Sequence, residues 1–71
     1  MSPIEIGEIL KTRRQFLHLT QEDMEELCSV NKKTIQQVEM GKGNPSLETL
    51  GKLASTLGME LLVQVKDVEN G

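Results

Sequence analysis

Little in this chain could staple it together. Cys28 is the only cysteine and His18 the only histidine. That excludes a disulfide within the chain, and a metal site would lack its usual soft ligands, so no metal and no cofactor are expected. Phe16 is the only aromatic residue, which argues against the stacked rings that hold single-stranded nucleic acid. No apolar run exceeds Leu61, Leu62 and Val63, so no segment reads as a membrane span. The first residues lack the apolar stretch of a signal peptide. With the lone thiol, these absences lead to the expectation of a cytoplasmic chain. No nucleophile and base stand together, no glycine loop is shaped for phosphate, and 71 residues enclose little volume. The expectation is no catalytic residue and no enzyme. A chain this short hides only ~60% of its unfolded surface, so a second subunit is a natural source of further stability.

The net charge of −3 conceals a local excess of base. Glu22, Asp23, Glu25 and Glu26 crowd residues 21–31, whereas Lys32, Lys33 and Lys42 against Glu39 leave residues 32–42 positive. Distribution rather than the sum decides which polyelectrolyte a surface attracts.

Helix punctuation is dense. Ser2, Pro3 and Glu5 spell an N-cap, a proline at the first helical position and an acid in the third. Ile6, Ile9, Leu10 and Leu17 carry a first helix to about Leu17, where His18 and Leu19 break it. Thr20 caps a second helix with acids in its first turn, and Met24, Leu27 and Cys28 line one face of it. Ser29 and Val30 make a short turn. Asn31 caps a third helix from Lys32 to Met40, which Gly41 ends. Lys42 to Pro45 is a loop by composition. Ser46 caps a fourth helix whose stripe is Leu47, Leu50, Leu53, Ala54 and Leu57, and Gly58 stops it. Glu60 to Lys66 has the residue types of a short strand, and Asp67 to Gly71 is a polar tail. The expected core includes Met24, Leu27, Val30, Ile35 and Val38, with Cys28 as a buried structural thiol.

Two short helices joined by a tight turn form the pattern that lays a second helix into a DNA groove. At ~100° per residue, Ile35, Val38 and Glu39 share one side of the third helix, with Thr34 at the margin. Lys33, Gln36, Gln37 and Met40 share the other, with Lys32 at its edge. Lysine donates to guanine O6 and N7, and glutamine can pair twice with adenine. Lys32, Lys33, Thr34 and Gln37 are therefore the candidate base readers. On its own, this helix reads equally well as an ordinary solvated surface helix.

A resemblance extends the reading. Leu19-Thr20-Gln21-Glu22-Asp23-Met24, Val30-Asn31-Lys32-Lys33-Thr34-Ile35, Glu39-Met40-Gly41-Lys42 and Pro45-Ser46-Leu47-Glu48-Thr49-Leu50, with Leu57-Gly58, are similar to the Cro/phage-repressor (XRE) family. The match runs over about residues 6–58. It implies a mainly α fold, a phage-repressor-like helix-turn-helix domain of four or five helices, with the third helix in the major groove. It further implies that Gln21 touches a phosphate and braces the reading helix, and that Arg14 pairs with Glu39. Lys42, Gly43 and Asn44 would approach the DNA backbone. Asn31 and Gln36 complete the expected phosphate-binding set with Gln21, Lys42 and Asn44. The chain departs from the family pattern in three places: Glu25 replaces a common alanine, and Ser29 and His18 replace common glycines. A long acid at position 25 must bend outward or find a partner.

The C-terminal segment carries a further expectation. A lone strand has no partner within its chain. The short strand at residues 60–66 is therefore expected to pair across a homodimer through Leu61, Leu62, Val63 and Val65, with Leu61, Val63 and Val65 packed on the helices. The expected organisation is a helix-turn-helix DNA-binding domain over 1–58, a dimerisation strand over 59–66 and a tail over 67–71. Residues 57–63 resemble the HipB-like antitoxin branch, which implies a HipA-like kinase toxin as partner. The function expected is a double-stranded DNA-binding repressor, as an antitoxin that also represses its own operon. The alternatives are a restriction–modification controller, a stand-alone phage-type repressor, or an interaction module that neutralises a partner without binding DNA.

Overall fold

Each helix begins on a side chain that accepts one of its own unpaired amides. The computed structural model describes residues 1–66, and among these it forms α1 (Pro3–Phe16), α2 (Gln21–Cys28), α3 (Lys32–Glu39) and α4 (Leu47–Thr56). Ser2 and Glu5 exchange hydrogen bonds at the start of α1, and Thr20 and Asp23 do so at α2. Asn31 Oδ1 accepts the Lys33 amide at 2.7 Å, and Ser46 Oγ accepts the Thr49 amide at 3.0 Å. Caps of this kind, reciprocal at α1 and α2 and one-way at α3 and α4, satisfy donors that the helix itself cannot.

The ends are as local as the starts. α1, α3 and α4 each close with paired bonds from the two residues beyond the C-cap: Leu19 N–H to Arg14 O, Lys42 N–H to Gln37 O, and Met59 N–H to Ala54 O. This closure needs a left-handed residue just after the cap. Gly41 and Gly58 fill that place in α3 and α4, and His18 fills it in α1 with φ 58°. Ser29, the C-cap of α2, is also left-handed at φ 58° and ψ 30°. The turn keeps its shape without glycine, at a cost on the order of 1 kcal/mol.

Leu10, Met24, Cys28, Val30, Ile35, Val38, Leu53, Ala54 and Leu57 form the core, with Ile6, Leu19, Leu50 and Met59 packed against it. Cys28 is buried, and its thiol lies 2.9 Å from Met24 O. α3 packs on both α1 and α2, and α2 also packs on α4. The α1–α3 approach depends on Gly7, where a Cβ would stand 2.3 Å from the Val38 carbonyl oxygen. Arg13 reaches from α1 to the far end of α4, where its Nε donates to Leu57 O at 3.0 Å.

Three expectations need correction. Leu27 is 61% exposed and does not belong to the core. Met24 and Cys28 point the buried face of α2 inward, and Leu27 lies ~100° round the helix from Cys28. Leu47 is exposed too, because it opens α4 before the helix reaches the core. Among the described residues there is no β-strand: residues 60–66 form irregular, exposed backbone, with Val63 100% and Val65 94% exposed. Leu61, Val63 and Val65 are therefore not packed together on the helices. A strand needs a hydrogen-bonding neighbour, and a single chain supplies none here. The tail at 67–71 lies outside the described residues.

Candidate nucleic-acid interface

Burying Ile35 and Val38 turns the opposite side of α3 outward. Lys33 and Gln36 are exposed, while Thr34 and Gln37 are half-buried at the edge of the packed face. Thr34, Gln37, Val38, Lys42, Gly43, Asn44 and Pro45 line one shallow groove between α3 and the loop behind it. Gly43 holds φ at +76°, and a Cβ there would meet Gln37 Oε1 at 3.3 Å. The glycine thus lets the loop backbone close on the side chain of Gln37. Lys42 and Asn44 are exposed on the rim.

A polar network holds this helix from behind. Arg14 Nε lies 2.6 Å from Glu39 Oε2, and Arg14 Nη2 lies 3.0 Å from Glu39 Oε1. The third guanidinium nitrogen, Nη1, donates to Leu19 O at 2.7 Å. Gln21 Nε2 donates to Glu39 Oε1 at 3.1 Å. One carboxylate near the end of α3 is therefore gripped by α1 and by the first residue of α2. The two charged side chains are 11% and 7% exposed. The Glu39 hydrogen bond, with its charge, raises the Arg14 guanidinium above its ordinary value and outweighs the cost of burial. A fork-to-fork pair sets orientation as well as distance, so α3 cannot roll without breaking it.

The front edge carries a feature that sequence reasoning missed. Lys32 does not project alone. Its ammonium pairs with the Glu22 carboxylate, and its backbone amide donates to Glu25 Oε2 at 3.1 Å. Glu25 thus finds its partner in the first amide of α3. The Lys32 partner also holds the Glu22 carboxyl below the usual carboxylate range. The pairs form because the turn from Ser29 to Asn31 brings α2 back beside the start of α3. Seven and ten residues of separation disguise that proximity in the sequence. Arg13 was missed as well; its ring contact with Phe16 and its bond to Leu57 O make it an internal tie.

Comparison with known proteins agrees with the geometry. The helix-turn-helix family HTH_3 matches residues 10–64. The chain belongs to the helix-turn-helix family. This helix-turn-helix chain is 41% identical over 61 residues to an uncharacterized HTH-type transcriptional regulator of Haemophilus influenzae, a stretch covering 86% of the chain and 62% of that protein. It is 30% identical over 59 residues to the endothelial differentiation-related factor 1 homolog of Danio rerio, covering 83% of the chain and 40% of that protein. The chain therefore spans less than two thirds of either relative's length. Its fold is similar to the crystal structure of the restriction-modification controller protein C.AhdI from Aeromonas hydrophila. There the TM-score is 0.76 and the identity 31%, over 82% of this chain and 88% of the other. No helix among the described residues is long and apolar enough to cross a membrane.

Proposed function

We propose that this chain is a sequence-specific, double-stranded DNA-binding transcriptional repressor that works as a homodimer and not as an enzyme. One observation carries the reading: α3 offers Lys33 and Gln37 one turn apart, beside a groove rimmed by Lys42 and Asn44. The Arg14–Glu39–Gln21 network fixes the angle of that helix. Donors at this spacing suit base edges in a major groove, and the loop lysine suits a phosphate. The exposed apolar residues Leu61, Leu62, Val63 and Val65 give a second copy something to cover.

Among repressors, the likeness to C.AhdI favours a restriction–modification controller over the antitoxin reading. The HipB-like resemblance and its HipA-like kinase partner rest on the short stretch from Leu57 to Val63, and none of the relatives named above is called an antitoxin. Selection from a random duplex library tests DNA reading: a recovered two-fold consensus with salt-dependent affinity is the expected result. A folded protein that enriches no sequence and binds no duplex at low salt would leave only the partner-neutralising module. A neighbouring restriction enzyme gene, as against a kinase-like toxin gene, separates the two kinds of regulator.

A further inference from the structure

At the leading edge of α3 an acid stands where a DNA-binding surface would be expected to carry base. Glu22 pairs with the ammonium of Lys32, and Glu25 takes the first amide of α3. Both acids are exposed, so neither is there to satisfy a buried charge. We propose that Glu22 is a specificity-determining residue of the interface, which together with Lys32 reads one base pair as a unit, accepting an amino base (cytosine or adenine) where the carboxylate meets it and refusing thymine and guanine. The proposal rests on α3 being the helix that enters the groove.

The physical argument has two parts. On unspecific duplex the pair is a liability. Lys32 is already neutralised, so it releases no counterion from the DNA, and the carboxylate is repelled by phosphates. On the right sequence the liability is lifted. In the major groove cytosine N4 and adenine N6 are amino donors, and their partner bases present the acceptors guanine O6 and thymine O4. Lys32 supplies a donor and Glu22 an acceptor, side by side, which complements those two edges. An ionised carboxylate only accepts, so thymine O4 and guanine O6 both repel it. Glu22 therefore weakens binding everywhere except where an amino group meets it, and this form of discrimination works by exclusion. Glu25 reinforces it by occupying the α3 amide that a phosphate would otherwise use.

The test is the substitution Glu22→Gln in the full chain, with Glu26→Gln as the control. Glu26 lies on the same helix, is exposed, and carries the same charge. Fluorescence anisotropy on a random-sequence duplex should show Glu22→Gln binding roughly 5-fold more tightly at low salt, with a salt slope steeper by about 0.9. Selection from a random library should show the preference for cytosine or adenine over thymine and guanine at one position of each half-site falling on the order of tenfold. Glu26→Gln should change the slope little and leave the amino-base preference intact. Glu22→Gln with unchanged affinity, slope and consensus overturns the assignment, and so does an equal effect from Glu26→Gln. A folded wild type that binds no duplex overturns the DNA reading itself, and this assignment with it.

Discussion

Arg14 and Glu39 meet edge to edge, with two parallel contacts of 2.6 and 3.0 Å joining α1 to the last turn of α3. Both side chains are largely withdrawn from water, so the loss of one leaves the other stranded. Glu39→Ala should destabilise the fold by about 3 kcal/mol in urea or thermal unfolding. Replacing both residues by apolar side chains should cost less than the two single changes together. Additive single and double variants would mean that the two charges do not act as a pair.

Two glycines should respond oppositely to alanine. At Gly7 the new methyl would strike the Val38 carbonyl at 2.3 Å and force α1 away from α3. Gly7→Ala should cost about 1–3 kcal/mol, the usual range for overpacking. Gly51 lies inside α4 with nothing within 4 Å of a Cβ. Gly51→Ala should stabilise by about 0.5–1 kcal/mol through helix propensity. Melting curves of the two variants decide both, and a loss of stability at Gly51 would contradict the packing described.

The reading face predicts two kinds of loss. Lys33→Ala and Gln37→Ala should each cost ~1–3 kcal/mol on the selected site and relax preference at one or two base pairs. Lys42→Ala should weaken all duplexes alike and flatten the salt slope by about 1. Titrations across several salt concentrations separate the two classes. Unchanged affinity in both α3 variants would remove this helix as the reader.

Acid should weaken the helix starts. The Ser2 backbone amide and hydroxyl hold the Glu5 carboxyl below 4.5, and the Thr20 amide and hydroxyl hold that of Asp23 below 3.8. A carboxyl depressed in the folded state contributes stability above its unfolded value and loses it as pH falls through the folded one. Glu5→Ala with Asp23→Ala should therefore melt below the wild type at neutral pH. The gap should narrow as pH falls below 4.5 and then below 3.8. A gap that stays constant from neutral pH to pH ~3 would show that the carboxylate charges contribute nothing.

Val63 tests assembly. Two half-sites about one DNA turn apart, ~34–36 Å, require a two-fold pair of readers. Val63 is fully exposed in the single chain, so a proline there disturbs no packing described above. If residues 60–66 pair between copies, Val63→Pro removes a backbone donor and loosens the dimer. The variant should sediment as a monomer at micromolar concentration and lose tight binding to a two-fold site, while keeping its helical circular dichroism. A wild-type chain that is monomeric yet binds such a site tightly would defeat the dimer reading.

Helix starts were legible residue by residue, and the ends of α1 and α3 fall one residue earlier than expected, at Phe16 and Glu39; caps act over three or four positions. Ser2 with Glu5, Thr20 with Asp23, and Ser46 with Thr49 each close within one turn. Gly41 and Gly58 stop their helices by the same short-range chemistry. The face of α3 was legible as well, since Ile35 and Val38 are its only aliphatic residues and both are buried. The expectation of an Arg14–Glu39 pair came from resemblance, not from any spacing in this chain.

What remained hidden depends on parts of the chain that are distant in sequence. Apolar composition alone does not say that Leu27 faces water while Cys28 is buried. An eight-residue helix makes little more than two turns, and only the neighbours α3 and α4 choose which side is covered. The Glu22–Lys32 and Glu25–Lys32 contacts arise from the angle of the inter-helix turn, and the Arg13 bond to Leu57 O spans 44 residues. The strand-like pattern at 60–66 records a preference, but a strand becomes a strand only when another backbone accepts its hydrogen bonds. Local chemistry therefore determined where the helices begin and end. Tertiary packing decided which side chains are buried, which are tied to a partner, and which remain free to meet DNA.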